Sequence, residues 1–332
     1  VAAAVEALMA GERPEYFVDI HRTYEDGERL VATPPYTAYL KIAEGCSNGC
    51  AFCVIPKLRG KYRSRSVEAL LAEAEKLAAS GVRELIVIAQ DITRYGLDLE
   101  PETSLARLVK ELCKLDFHWI RLHYLYPEAV TDELIDVIAH EPKVLHYLDI
   151  PIQHCDDGIL KAMRRRNTRA ELEELFVRLR SAMPDVVIRT SLICGLPGEG
   201  EAEFEELCDF LREQKLQRVG VFQFSPEEGT LAAKMDNQVD PDTAARRVEL
   251  VVDLQSRIMD EYNEARLGTV MEVLCEGFDS AGGCCAGRTY ADSADIDGRV
   301  LFTAAGPVPA GEFVNVRITG VSDGDLTGEI EE

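Results

Sequence analysis

Three cysteines with the spacing C-x₃-C-x₂-C stand in the segment Glu44-Gly45-Cys46-Ser47-Asn48-Gly49-Cys50-Ala51-Phe52-Cys53. Thiolates this close along the chain can converge only if the loop wraps around one small object. Gly45 and Gly49 give the backbone the freedom for that wrap. Three thiolates hold three corners of a 4Fe–4S cube and leave the fourth iron open to a substrate or cofactor, whereas four-cysteine clusters mainly carry electrons.

A structural zinc site is the alternative interpretation of this loop. Such sites favour four ligands in paired C-x₂-C units, and no second pair stands at a matching distance in the sequence. We therefore predict a 4Fe–4S cluster bound by Cys46, Cys50 and Cys53.

The composition indicates a cytoplasmic protein with a large core. The chain has 332 residues, 46% of them hydrophobic, which suffices for one large domain and a small one. Cysteines outside the loop are scattered as in proteins of a reducing compartment: Cys113, Cys155, Cys194, Cys208, Cys275, Cys284 and Cys285. We expect the adjacent Cys284 and Cys285 to lie in a Gly-rich turn. No apolar run approaches the ~18 residues of a membrane span, and the N-terminal residues do not resemble a signal peptide.

The formal net charge of −23 bears on the partners of the protein. Phosphate backbones are bound by an excess of Lys and Arg, so this charge argues against a broad nucleic-acid surface. It favours a basic partner, or simply solubility.

Apolar, β-branched runs alternate with amphipathic helical runs from Tyr36 onwards. The predicted strands are 38–42, 84–89, 120–125, 146–150, 187–193 and 218–224. Ser66, Ser104 and Thr131 are expected to cap helices between them. Strands that alternate with helices predict a parallel sheet, and six units are too few for a closed eightfold barrel. We predict an α/β fold, an open six-unit (β/α) partial barrel over residues 36–266, in which the cysteine loop directly follows the first strand.

The pattern changes after Gly268. Short predicted strands, separated by Gly, Asp and Pro turns, cover 270–276, 288–290, 299–302, 313–319 and 326–330. They indicate a small antiparallel five-stranded β-barrel over residues 267–332. This region has twelve acidic and three basic residues, the wrong sign for the nucleic-acid binding that small barrels often perform.

The cysteine motif after the first strand of such a barrel resembles the radical S-adenosylmethionine (SAM) enzymes. Its flanks, 52–56, Arg59-Gly60 and 63–65, are similar to the methylthiotransferase branch, and the small barrel resembles the TRAM domain that ends those enzymes. Segments 90–96, 149–154 and 287–298 resemble the type that modifies an aspartate of a small-subunit ribosomal protein.

The resemblance implies a cofactor pair and a set of site residues. SAM is expected to chelate the open iron and, after one-electron reduction, to yield a radical that removes hydrogen from the β-carbon of the aspartate. The candidates for contact with SAM are Phe52, Gln90, Asp91, Asp149, Gln153, Thr190, Ile193 and Gly195. Candidates for the substrate carboxylate are Arg59, Arg63, Arg65 and His154. For each of them a purely structural role is the alternative.

The resemblance also implies partners and a missing part. The enzymes of this branch carry an N-terminal domain with a second cluster, no cysteine precedes Cys46 here, and residues 1–35 are expected to be a remnant and linker of that domain. The expected partners are a basic small-subunit ribosomal protein of the S-twelve type, or the small subunit itself, and an electron donor such as a flavodoxin. Two alternatives stay open: a transfer-RNA adenosine methylthiotransferase and a non-catalytic iron–sulfur module.

Overall fold

A computed structural model describes residues 2–15, 19–20 and 29–331, and it confirms the predicted α/β fold. The large domain contains the strands β1 (Thr37–Lys41), β2 (Ala43–Glu44), β3 (Arg63–Ser64), β4 (Glu84–Ile88), β5 (Trp119–Leu122), β6 (Val144–Asp149), β7 (Val187–Cys194) and β8 (Arg218–Gln223). The helices are α1 (Ala2–Met9), α2 (Ile55–Arg59), α3 (Val67–Ala79), α4 (Leu105–Leu112), α5 (Asp132–His140), α6 (Asp157–Ala162), α7 (Arg169–Ala182), α8 (Glu201–Gln214) and α9 (Pro241–Glu264).

Six of these strands form one parallel sheet in the order β1-β4-β5-β6-β7-β8. Each strand pairs with the next one along the sheet, and β1 and β8 remain as edges, so the barrel is open as predicted. The hairpin β2–β3 and the short helix α2 were not predicted, because elements of two to five residues leave no periodic pattern in the sequence.

The predicted helix caps are present. The side chains of Ser66, Ser104 and Thr131 each accept a hydrogen bond from the backbone N–H three residues later. Such caps satisfy amide groups that the first helical turn leaves without a partner. None of the helices in the described part of the chain has the length and apolar character needed to cross a membrane.

The two faces of the sheet differ because side chains alternate along a strand. Leu85 and Val87 of β4 belong to the apolar core that the helices cover. Alternate positions on β4, β5 and β7 carry charged side chains that are buried nonetheless, namely Glu84, Arg121 and Arg189. The inner face of the partial barrel is therefore polar.

The C-terminal strands close into a barrel in the order β10-β11-β13-β12-β9. They are β9 (Val270–Asp279), β10 (Cys284–Arg288), β11 (Val300–Thr303), β12 (Phe313–Ser322) and β13 (Asp325–Ile330). The five-stranded barrel is confirmed, and its pairing is antiparallel except between β11 and β13, which are parallel.

One predicted strand of this barrel was wrong. The sequence predicted a strand over 288–290, whereas β10 ends at Arg288 and includes Cys284 and Cys285, which were expected in a turn. Cys285 is buried in the barrel core. The reason is a bulge between Ala286 and Gly287 that breaks the alternation, and a Cβ on Gly287 would lie only 2.5 Å from the Leu274 carbonyl oxygen.

The segment after β10 joins the two domains through polar contacts. Residues 289–297 pack against the polar inner face of the sheet. There the Arg218 guanidinium donates to Asp292 (2.7 Å), the Tyr147 hydroxyl to Asp297 (2.6 Å), and the Arg121 guanidinium to the Tyr290 carbonyl (2.8 Å). The polar inner face therefore has its partners in the small domain.

Glu84 lies at the centre of this interface. Its carboxylate accepts from Arg121 at 2.9 Å and from Arg288 at 2.6 Å, and all three side chains are almost fully buried. Burial alone would raise the pKa of Glu84, but the two guanidinium groups outweigh it and lower this pKa to about 2. A buried carboxylate with two cationic partners becomes costly when either partner is removed.

We predict that Arg288→Ala lowers the free energy of unfolding by roughly 3–5 kcal/mol, because it leaves the charge of Glu84 buried with incomplete compensation. Urea titration of the cluster-free protein measures the change. Arg317→Ala in the same small barrel is the control: Arg317 pairs with Glu331 on the surface, and its loss should cost less than about 1 kcal/mol. Equal losses in both variants would contradict the central role of the Glu84 cluster.

A pH dependence follows from the lowered pKa of Glu84. The carboxylate contributes stability that is fully present above its unfolded-state pKa and is lost as the pH falls from there through about 2. We predict that the wild-type protein loses more stability between pH 5 and about pH 2.5 than Glu84→Gln does. The slope of unfolding free energy against pH, measured by urea titration, tests this, and identical slopes would refute it.

Candidate functional site

The three loop thiols line one cavity at the carboxyl edge of the sheet. Cys46, Cys50 and Cys53 contribute to the wall of a space of about 490 Å³. Gly45 has φ +76°, and a Cβ there would lie 2.3 Å from the Lys61 carbonyl oxygen, so the turn that directs Cys46 inward requires glycine. Burial raises the pKa of the Cys46 and Cys53 thiols, so iron binding there must displace protons.

Asp91 braces the thiol loop instead of lining the cavity. Its carboxylate is buried and accepts a hydrogen bond from Asn48 Nδ2 at 2.7 Å and one from the Thr93 backbone N–H at 3.0 Å. Arg94 lies 3.3 Å from the same carboxylate and also donates to Asn48 Oδ1. Because Asn48 lies between Cys46 and Cys50, these contacts hold the centre of the loop.

Cys50 has two partners that the sequence analysis missed. The Tyr126 hydroxyl lies 2.6 Å from Cys50 Sγ, and Arg165 Nη1 lies 3.9 Å from it. The Arg165 guanidinium stacks on the Tyr126 ring at 4.1 Å and donates to the Pro151 carbonyl at 2.7 Å. Burial raises the pKa of Tyr126, so its phenol stays protonated and can donate to a thiolate.

The two missed residues differ in how predictable they were. Tyr126 follows the third strand of the sheet just as Gln90 follows the second, so the strand-end rule that selected Gln90 would also have found Tyr126. Arg165 follows α6, and no local pattern distinguishes it from its neighbours Arg164 and Arg166.

The rest of the cavity wall includes three of the residues predicted to contact SAM. Phe52, Gln90 and Gln153 all line it, together with Lys41, Ile55, Ile88, Ala89, Tyr124, Tyr126, Pro151, Arg165 and Ser191. Gln90 Oε1 is buried without a hydrogen-bond partner among the described residues. An unpaired buried acceptor is costly, so this oxygen fits a ligand that donates a hydrogen bond.

The cavity continues along the sheet towards β8. A second space of about 300 Å³ shares Phe52, Gln153 and Ser191 with the first, and Ile193 lines it. Gly195 lies further along, in a third space of about 570 Å³. With φ +83° and a Cβ position only 2.3 Å from Ala244 Cβ, Gly195 is required by the packing of α9.

Besides Asp91, three more predicted residues lie outside all of these spaces. The Asp149 carboxylate accepts from Arg189 at 2.8 Å and from the Tyr124 backbone N–H at 3.2 Å. It therefore holds the backbone of Tyr124, which lines the cavity, without lining the cavity itself. The Thr190 hydroxyl donates to the Ile150 carbonyl. His154 is 1% exposed, and burial lowers its pKa to about 4, so it is neutral at physiological pH.

The candidate arginines are also dispersed. Arg65 is buried and pairs with Glu73 at 2.7 Å, which removes it from the cavity surface. Arg63 donates to the carbonyls of Lys61 and Arg59, whereas Arg59 is exposed and lies 3.6 Å from Glu44.

The residues present fit a 4Fe–4S cluster with an open iron. Three soft thiolate donors face one cavity, and an unpaired acceptor, Gln90 Oε1, lies in the same wall.

Comparison with known families gives the class of protein. Residues 40–211 match the Radical SAM superfamily, and residues 267–330 match the TRAM domain. The fold and the site thus define a radical SAM enzyme with a C-terminal TRAM domain. This confirms the predicted cofactors, a 4Fe–4S cluster and SAM.

Individual relatives narrow the class. The ribosomal protein uS12 methylthiotransferase RimO of Caldanaerobacter subterraneus subsp. tengcongensis is 47% identical over 91% of this chain and 69% of its own length. RimO of Symbiobacterium thermophilum is 46% identical over all of this chain and 69% of its own length. Among solved structures, coproporphyrinogen III oxidase (HemN) from Escherichia coli, described as a radical SAM enzyme, is 15% identical with a TM-score of 0.49, covering 68% of this chain and 54% of its own. The chain belongs to the RimO methylthiotransferase family.

We predict that Asp91→Ala weakens iron binding about 10- to 100-fold, because Asn48 loses the carboxylate that holds the thiol loop. Iron and sulfide retained after anaerobic reconstitution and gel filtration measure the effect. Asp98→Ala is the matched control, since Asp98 accepts from the Ser64 backbone N–H and, within the described part of the chain, forms no hydrogen bond or ion pair with the thiol loop. Unchanged iron retention in Asp91→Ala would show that the loop holds its shape without this brace.

Proposed function

We propose that this chain is the radical-forming part of an enzyme that adds a methylthio group to the β-carbon of an aspartate in ribosomal protein uS12. Family membership supports the substrate, since the relatives are named for it. The observation that carries the chemistry is the convergence of three thiols on one cavity at the carboxyl edge of the sheet. When bound there, the cluster and SAM supply the one-electron chemistry that removes a hydrogen atom from carbon.

The wall residues have distinct proposed roles towards SAM. Gln90 Oε1, unpaired and buried, would accept a hydrogen bond from the amino group of the methionine part. Phe52 lies where the first and second spaces meet, and its ring would border the adenine. Gln153 lines the same junction with φ +74°, a conformation that is rare for residues with a side chain.

The substrate carboxylate needs a cationic partner near the cavity. Lys41 lines the cavity and pairs with Glu44, which also pairs with Arg59. We propose that the aspartate of the substrate takes a position beside Lys41 and Arg59. Arg65, buried against Glu73, would act on the position of α3.

Only part of the negative charge of the small barrel is available to bind a basic partner. Asp292 and Asp297 contact Arg218, Tyr147 and Arg189 of the large domain, so they do not face solvent. Glu312 and Glu329 remain on the surface side of the barrel. We propose that this surface approaches a basic ribosomal protein or the small subunit in the cytoplasm, and that the domains are residues 36–266 and 267–332.

Mass spectrometry of the source organism with and without the gene, covering ribosomal proteins and transfer-RNA nucleosides together, tests the function. We expect the methylthio group on an aspartate of uS12 to disappear without the gene and to return with the full-length wild-type gene. The Cys50→Ala variant should not restore it, because one corner of the cluster loses its ligand. Cys284→Ala, a change in the small barrel outside the site, should restore it fully.

The other outcomes have definite meanings. Loss of a methylthio group from a transfer-RNA adenosine would replace the protein substrate with an RNA substrate. Restoration of the uS12 modification by Cys50→Ala would overturn the assignment of this thiol to the cluster. Loss from neither class of molecule would favour the non-catalytic iron–sulfur module.

A further inference from the structure

Two runs of the sequence are basic without a single acidic residue. In a chain with 59 acidic and 36 basic residues, the run 45–67 contains five bases and no acid, and the run 158–170 also contains five bases and no acid. The chemistry of the cavity uses little of this charge, because only Arg165 of the second run lines it. Apart from Arg165 and Arg59, the basic residues of the two runs have no role in the proposed reaction.

The fold brings both runs to the thiol loop. The Ala51 N–H donates to the Met163 carbonyl at 2.9 Å, which places the second run beside Cys50. The Cys46 N–H donates to the Gly60 carbonyl at 3.2 Å, which places the basic part of the first run, residues 57–65, beside Cys46. The basic residues therefore flank the loop on both sides.

Four of these basic side chains are exposed and have no polar partner among the described residues. Lys61, Lys161, Arg164 and Arg166 face solvent and form no side-chain hydrogen bond or ion pair within the described residues. We call these four residues the basic collar. Leu58, three residues before Lys61, is 60% exposed.

Further charged residues lie close to the collar residues in the sequence or are linked to them by Lys57, and of these Lys57 and Arg169 already have partners. The exposed Lys57 donates to the Gly229 carbonyl, and the exposed Glu227 and Glu228 precede that glycine. Arg169 forms ion pairs with Glu173, Glu206 and Glu213.

We propose that the basic collar docks a small acidic electron-carrier protein that reduces the cluster. The inference rests on the proposed function, which requires one electron for each SAM cleaved. The carrier, a reduced flavin or iron–sulfur protein, loses one electron, and the cluster gains it. Exposed Leu58, close to Lys61 in the sequence, would add an apolar contact, as in interfaces where a small apolar core has a polar rim.

The positive charge of the collar favours an acidic electron carrier over the basic substrate protein. A basic ribosomal protein would be repelled by four uncompensated cations, whereas an acidic carrier is steered towards them through the negative field of the rest of the chain. The location agrees: Lys61, Lys161, Arg164 and Arg166 do not line the cavity, so a carrier bound to them leaves the cavity free for SAM and substrate.

SAM cleavage by the full-length enzyme, driven by either reduced flavodoxin or dithionite, tests the proposal. The variant combines Lys61→Glu, Arg164→Glu and Arg166→Glu. We expect its flavodoxin-driven rate at low ionic strength to fall by about tenfold or more and to lose its salt dependence, as for a steered encounter. The dithionite-driven rate should equal that of the wild type, because dithionite needs no docking surface.

The control variant carries the same number of reversals on the outer helices: Lys76→Glu, Arg107→Glu and Lys110→Glu. These residues are exposed on α3 and α4, away from the thiol loop, and should leave the flavodoxin-driven rate near that of the wild type. An equal fall of the flavodoxin-driven rate in both variants would mean that the rate depends only on net charge, and it would overturn the docking site.

Two further results would also overturn it. An unchanged flavodoxin-driven rate in the collar variant, with weaker binding of the small ribosomal subunit, would assign the collar to ribosomal RNA. Absence of SAM cleavage by the wild-type enzyme with dithionite would instead refute the proposed function itself, which the dithionite arm measures separately.

Discussion

The carboxylate of Glu84 is the point on which both domains depend. It lies on the second strand of the sheet, fully buried, and its two partners come from different parts of the chain, Arg121 in the sheet and Arg288 in the small barrel. Neither guanidinium would be tolerated there alone, because an isolated buried charge is strongly unfavourable. The sheet therefore has a polar inner face only because the small domain supplies matching groups.

The buried polar contacts between the two domains continue as far as the wall of the cavity. Asp297 of the small domain lies 3.9 Å from Arg189, Arg189 donates to Asp149, and Asp149 accepts from the backbone of Tyr124. Tyr124 lines the cavity with φ +66°, a conformation that needs support from its surroundings. The wall of the site is thus held from behind by contacts that continue into the small domain.

The sequence predicted the fold well and the site in part. Strand–helix alternation gave the open sheet, and the cysteine spacing gave the thiol loop, because both depend on local order. The roles of Asp91, Asp149 and His154 could not be predicted, since residues at strand ends point either into the cavity or away from it according to small local turns. Arg165 was missed because its position depends on the stacking with Tyr126, a contact between segments far apart in the chain. The exposed negative charge of the small barrel is smaller than its composition indicates, because Asp292 and Asp297 pair with the large domain and composition does not distinguish such acids from those that face solvent.

The contacts of segment 289–297 limit which exchanges of domains the gene tolerates. The two parts of this chain match two separate families, and in principle recombination could exchange one small barrel for another. Here, however, Asp292, Ser293 and Asp297 contact side chains on three strands of the sheet, Arg218, Tyr147 and Arg189, and also His123, which directly follows a fourth strand. A barrel from an unrelated source would leave those side chains buried without partners. The two parts must therefore be inherited together, and a substitution on one side of the boundary restricts what is acceptable on the other.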